Sequence, residues 1–189
     1  MNVVVNTDTQ MLNDVRERLG TFSKKAPNAI SSALNRAVTN VSSNVSKEVR
    51  KNYTVKSSDI KQTLSKTRAS KSDLHAIVKS KGELLPLDRF KVSPRSVQPK
   101  RKKPIKVAVK KDGLKPLLGA FVAEIHGTKV FKRVGKKRLP IRRMFGPSIP
   151  QMIENEEIRT FINQEGNEIF QRRLDHEINR ILSQGANNT

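Results

Sequence analysis

An α+β fold, a small antiparallel sheet flanked by long amphipathic helices at both ends of the chain, is predicted by three features of the 189-residue sequence. Residues 26–53 carry the longest uninterrupted helical pattern, and residues 158–182 carry a second one. Between them the apolar period changes from helical spacing to the alternation of half-buried strands, in about four runs that read as a meander. In the first pattern Ile30, Leu34, Val38, Val41, Val45 and Val49, with Ala37, recur at steps of three and four and so share one helix face. The opposite face holds Ser31, Ser32, Asn35, Ser42, Ser43, Asn44 and Ser46, which are indifferent helix formers. Burial of the valine stripe, at about 1.5–3 kcal/mol per side chain, therefore has to hold this helix, and the sheet of residues 74–134 is the expected cover.

Taken in order, Val3, Val4 and Val5 suit a short strand, and Asn6, Thr7 and Asp8 offer capping oxygens to a helix carrying Met11, Leu12, Val15 and Leu19. Gly20 is its expected stop, and Pro27 fits the first position of the long helix. Ser57, Ser58 and Asp59 can cap a third helix in which Ile60 and Leu64 share a face, ending near Arg68 to Ser70. From Asp73 the period is two, with Leu74, Ala76 and Val78 on one side, and Gly82 closes the run. Pro86 limits the following segment to an edge strand or a loop. Residues 91–104, with three prolines and no apolar pattern, read as an exposed basic loop. Ile105, Val107 and Val109 alternate again before Asp112-Gly113, a hairpin dipeptide, and the returning strand is expected to set Phe121, Ala123 and Ile125 on one face. His126-Gly127 turns the chain into a further strand over TKVFKRV. After the breaker-rich stretch 135–150, Ser148 and Gln151 have capping-box spacing. One long helix over 148–185 should follow, with Ile158, Phe161, Ile162, Ile169, Phe170, Leu174, Ile178, Ile181 and Leu182 at helical spacing and Gly166 as its weak point. The economical reading is a single domain, 1–189, in which a helical N-terminal region (1–70) leads into a sheet region (71–145) and then the C-terminal helix (148–185).

Charge is distributed unevenly. The chain has 38 basic and 17 acidic side chains, net +21, and residues 51–150 alone hold 27 basic and 6 acidic ones. Such a field attracts polyanions or acidic protein surfaces. With 4% aromatic residues a base-stacking platform is not expected, and no basic recognition helix for sequence-specific reading is visible. The absence of cysteine removes disulfides and thiolate metal sites, and no apolar run is long enough for a membrane span. Neither a signal peptide nor a membrane partner is expected. His75, His126 and His176 lie in three different predicted elements without metal-ligand spacing, and phosphate-loop, dinucleotide and nucleophile-elbow motifs are absent. No enzyme activity, metal or cofactor is therefore expected. The candidate contacts are two basic clusters: Lys100, Arg101, Lys102 and Lys103 in the proline-bounded loop, and Lys132, Arg133, Lys136, Lys137, Arg138, Arg142 and Arg143 around the strand exit. Both could take DNA phosphates without regard to sequence, or an acidic partner surface.

The order of several blocks resembles the minor tail protein Z family of phages and prophages, a tail-completion group. The blocks are Ala33-Leu34-Asn35-Arg36-Ala37, Tyr53 to Ile60, Gly119-Ala120-Phe121, Val130-Phe131-Lys132-Arg133, Leu139-Pro140-Ile141 and Gly146-Pro147-Ser148. They cover residues 26–152. The resemblance implies a virion protein assembled in the host cytoplasm and located at the neck, the head-proximal end of a long tail, where it is needed for head-tail joining. It implies partners among tail terminator, tail tube and connector proteins, a homo-oligomeric ring around the DNA channel, and no catalysis. Its motif positions, Asn35, Arg36, Gly119, Phe121, Phe131, Leu139, Pro140, Gly146 and Pro147, read as fold and interface residues. The alternative from charge alone is an independent, nonspecific DNA-binding protein of nucleoid type.

Overall fold

The computed structural model describes residues 2–6 and 9–186, and half of the chain is helical and about a quarter strand, an α+β protein. The caps expected from Thr7 and Asp8, and the tail 187–189, lie outside the described residues. Contacts divide the chain into two compact units that do not follow chain order: residues 1–45, 64–80 and 154–189 form one, and residues 46–63 and 81–153 the other.

The first unit starts with strand β1 (Asn2–Asn6) and helix α1 (Thr9–Leu19), whose buried residues are Val15 and Leu19. Gly20, at φ 52°, ends α1 in the left-handed conformation, and a 3₁₀ turn, Gly20–Lys25, leads into α2 (Ala26–Asn52). Ile30, Leu34, Val38, Val41 and Val45 of α2 are at most 1% exposed. The C-terminal helix lies over Val41. A Cβ on Gly166 would stand 3.1 Å from Val41 Cγ2, so at the glycine expected to weaken that helix α2 packs tightly against it. Asn35 reaches sideways from α2, donating to Ala69 O at 3.0 Å and accepting from Ala69 N–H at 2.9 Å. Strand β2 (Leu64–Thr67) pairs with β3 (His75–Ser80), which also pairs with β1, giving an antiparallel order β1-β3-β2. The helical expectation for residues 64–67 does not hold; pairing with β3 supplies their backbone partners instead, a tertiary override of a short weak helix. Ala76, Val78 and Ser80 are the buried side of β3.

The C-terminal helix is two helices. The Ser148/Gln151 capping box forms, with Ser148 N–H donating to Gln151 Oε1 at 2.9 Å and Gln151 N–H to Ser148 Oγ at 3.3 Å. It opens only the short α4 (Ile149–Ile153), in the second unit, and the chain breaks at Glu154 and Asn155 before α5 (Glu156–Ala186). In α5, Ile158, Ile162, Ile169, Phe170, Leu174, Ile178 and Ile181 are buried, whereas Phe161 and Leu182 are 40% and 37% exposed.

The second unit holds the end of α2 with buried Val49, α3 (Ser57–Thr63), and three small antiparallel sheets in place of one meander. Strand β4 (Leu84–Pro86) pairs with β11 (Phe145–Ser148); β5 (Lys91–Ser93), β6 (Ile105–Ala108) and β7 (Lys115–Leu117) form a second sheet; β8 (Ala120–Glu124), β9 (Thr128–Arg133) and β10 (Ile141–Arg143) form a third. The expected loop 91–104 thus begins with a strand, and the excursion proper is 94–104. The chain does reverse around Asp112-Gly113, with Gly113 at φ 117°, but through the longer connection 108–114 between the paired Val107 and Lys115 instead of a two-residue turn, and it returns through β7 and not through residues 121–125. Lys115 Nζ donates to Asp112 at 2.6 Å and holds its carboxyl below the ordinary value. A left-handed Gly119 then turns the chain away, and β8 pairs with β9 around His126 and Gly127, both at positive φ. On β8 the buried side is Ala120 and Val122, opposite Phe121 and Ala123, and Ile125, just past the strand, is 41% exposed.

Candidate interface for DNA or an acidic partner

The second unit carries almost all of the net charge. It has 25 basic and 6 acidic side chains, a balance of +19, against 13 and 11 in the first unit. It also carries eight of the ten large apolar side chains that remain exposed among the described residues. Exposed apolar groups and unbalanced cations each gain from a partner, which makes this unit the candidate for an interaction surface.

The first basic cluster sits on the 94–104 excursion, whose ends are joined by the β5–β6 ladder down to Ser93 opposite Lys106. Val92, Ile105 and Val107 anchor that ladder in the core, so the loop is fixed at its base and exposed along residues 100–104. Its four cations are not equivalent. Arg101 folds back on its own loop, donating from Nε to Lys103 O at 2.9 Å, from Nη1 to Gln98 Oε1 at 3.2 Å and from Nη2 to Pro104 O at 3.3 Å. Lys100, Lys102 and Lys103 have no ion-pair partner among the described residues, and the chain between Asp88 and Asp112 holds ten basic residues and no acidic one.

The second cluster is divided by strand geometry. Lys132 stands opposite Arg142, and both share a face with Ala120. Phe121 and Phe131 stand opposite each other on the other face, with ring centroids 6.4 Å apart, and the Arg133 guanidinium lies 5.6 Å from the Phe121 centroid. Arg143 is an architectural residue: its Nη2 donates to both oxygens of Asp88 at 3.0 Å, a fork that ties β10 to the turn before β5. Lys136, Lys137, Arg138 and Arg142 are exposed and outside any ion pair among the described residues.

Folding brings together further cations that are scattered in the sequence. Lys56, Arg89, Arg95 and Lys129 line a cleft of about 290 Å³ whose apolar floor is Phe90, Val92, Val122 and Val130. Arg89 also donates to buried Asp59 at 3.1 Å. No local spacing signals this group, because its members come from three separate stretches, around residues 56, 89–95 and 129, that meet only when the chain folds. Among the described residues no group of three or more histidines, cysteines or carboxylates could hold a metal ion, and no helix is long and apolar enough to cross a membrane.

The motif positions fall into two kinds. Asn35 clamps Ala69, Phe121 and Phe131 pair, Pro140 O accepts from Val134 N–H at 3.1 Å, and a Cβ on Gly146 would lie 2.8 Å from the Phe90 ring. Pro147 is half-buried next to it, and Gly119 makes a turn that only a residue without a side chain adopts freely. Arg36 and Leu139, by contrast, are exposed.

Residues 11–184 match the sequence pattern of the prophage minor tail protein Z family. No curated protein and no solved structure matches the chain significantly.

Proposed function

Because the chain belongs to the prophage minor tail protein Z family and is thus a structural protein of the phage tail, we propose that it completes the head-proximal end of a long tail and is required there for head-tail joining. In this reading it works without catalysis, as one copy in a ring that meets the tail terminator, tail tube and connector, with its basic excursion turned to the DNA of the channel. The observation that carries the reading is the segregation of charge: +19 on one unit, with Lys100, Lys102 and Lys103 presented on an exposed loop without an acidic neighbour. A loop of that kind supplies charge and reach, which a phosphate backbone rewards, and no fixed donor pattern, which base reading would require.

The test uses the full-length protein with two duplexes of unrelated sequence over a salt series. Lys100→Ala/Lys102→Ala/Lys103→Ala should weaken both complexes equally and lower the log–log salt slope by about three, roughly 0.9 for each phosphate no longer neutralised. Tails built with this variant should reach full length and fail to join heads productively. An unchanged slope together with normal joining would refute the DNA role of the loop.

A further inference from the structure

We propose that the end of the β8–β9–β10 sheet receives the acidic face of α5 from a second copy of the chain, so that copies join head to tail. The inference rests on the assembly role above and names the two surfaces that would build the ring. Leu118 lies just before β8, Val134 just after β9 and Leu139 just before β10, which in an antiparallel sheet is one and the same end. They are 73%, 62% and 65% exposed, the three most exposed large apolar residues described. Lys132, Arg133, Lys136, Lys137, Arg138 and Arg142 surround them in sequence, and residues 125–153 contain no acidic residue. DNA phosphates would use these cations and leave three aliphatic side chains in water. A protein with apolar and acidic groups side by side uses both.

The chain itself carries such a surface. Along α5, Glu157, Phe161, Glu165 and Glu168 follow one another at helical spacing, an acidic stripe that includes one aromatic side chain. Phe161 is 40% exposed, and Glu157 and Glu168 on either side of it are exposed. The negative sign and the apolar content of the stripe therefore complement the basic, apolar sheet end. Donor and acceptor surfaces differ, so the contact is heterologous: each added copy presents a fresh surface of each kind, and association does not stop at a dimer.

Two charge-reversed chains test the pairing. Lys136→Glu/Lys137→Glu/Arg138→Glu inverts the sheet end, and Glu157→Lys/Glu168→Lys inverts the stripe; every site is exposed, and far-UV circular dichroism checks that each variant is folded. In sedimentation velocity at about 100 μM and low salt, where charges act over their full range, the wild-type protein should show species beyond the 21.3 kDa monomer that dissociate as salt is added. Each variant alone should associate about tenfold more weakly or not at all, and a one-to-one mixture of the two should recover association, because each reversed surface then meets its complement. A wild-type protein that stays monomeric, or a mixture that does not recover, overturns the inference. If the sheet-end variant instead loses DNA binding while associating normally, the sheet end is a DNA contact and the inference fails with the tail-completion role intact. That role fails separately, by normal head joining of tails that lack the protein, whatever association is measured in solution.

Discussion

Replacing Asn35 tests how the first unit is held together, because its amide makes two hydrogen bonds to one residue's backbone across the fold. Its Nδ2 donates to Ala69 O at 3.0 Å and its Oδ1 accepts from Ala69 N–H at 2.9 Å, and Ala69 is 8% exposed. Asn35→Ala leaves a buried N–H and a buried C=O without partners, so the cost is the desolvation of two orphaned groups and not merely two net hydrogen bonds. At about 1–3 kcal/mol per orphan, some of it recovered by water reaching the site, the loss should be about 2–4 kcal/mol. For a chain of this size that lowers the melting temperature by about 5–15 °C. Asn35→Asp keeps the acceptor and the shape but aims a carboxylate oxygen at Ala69 O. The charged form is disfavoured there, so the folded pKa of the new carboxyl is raised above its unfolded value. A raised folded pKa means that the variant is most stable at low pH, where the protonated group donates as the amide did, and that it loses stability as pH rises through that pKa. Urea titrations at several pH values, followed by far-UV circular dichroism, should show Asn35→Asp close to wild type near pH 4 and well below it at pH 7, with Asn35→Ala low at both. Arg36→Ala, on the exposed side of the same motif, should be nearly silent. Equal stabilities for the Asn35→Ala and Arg36→Ala variants, or an Asn35→Asp deficit that does not change with pH, would refute the clamp.

Two further contrasts concern the second unit. Gly146→Ala puts a methyl group 2.8 Å from the Phe90 ring, which is 2% exposed and cannot yield freely, so it should cost about 1–3 kcal/mol of stability. Gly135→Ala, where an added Cβ meets nothing within 4 Å, should be neutral or slightly stabilising. Arg143→Ala should destabilise by about 1–3 kcal/mol in thermal melts by stranding the partly buried Asp88, while Arg142→Ala, on the neighbouring exposed position, should leave the melting temperature unchanged. Similar melts for the two arginine variants would show that the Asp88 fork is not structural.

The sequence by itself determined the elements whose signal is local and repeated. The valine stripe of α2, most of the stripe of α5 (all but Phe161 and Leu182), the alternation in β3, the capping box at Ser148 and the chain reversals at Gly20, Asp112-Gly113 and His126-Gly127 are found, because helical period, capping and positive φ act over a few residues. Order and spacing of blocks were enough to identify the family. The sequence also located the two basic clusters, since cations adjacent in a chain stay adjacent in space. Tertiary structure decided what depends on partners far along the chain. Residues 64–67 became a strand because β3 completes their backbone bonding, and the strand after Asp112-Gly113 was β7 because β8 had β9 to pair with. Gly166, weak for a lone helix, became the place where α5 admits Val41. The same physics sorted the cations. Arg143 and Arg101 have partners within the fold, while Lys136 to Arg138 remain beside exposed Leu139. A charge written in sequence is only a potential contact; whether it is already neutralised depends on the distance to a carboxylate or carbonyl that folding alone sets.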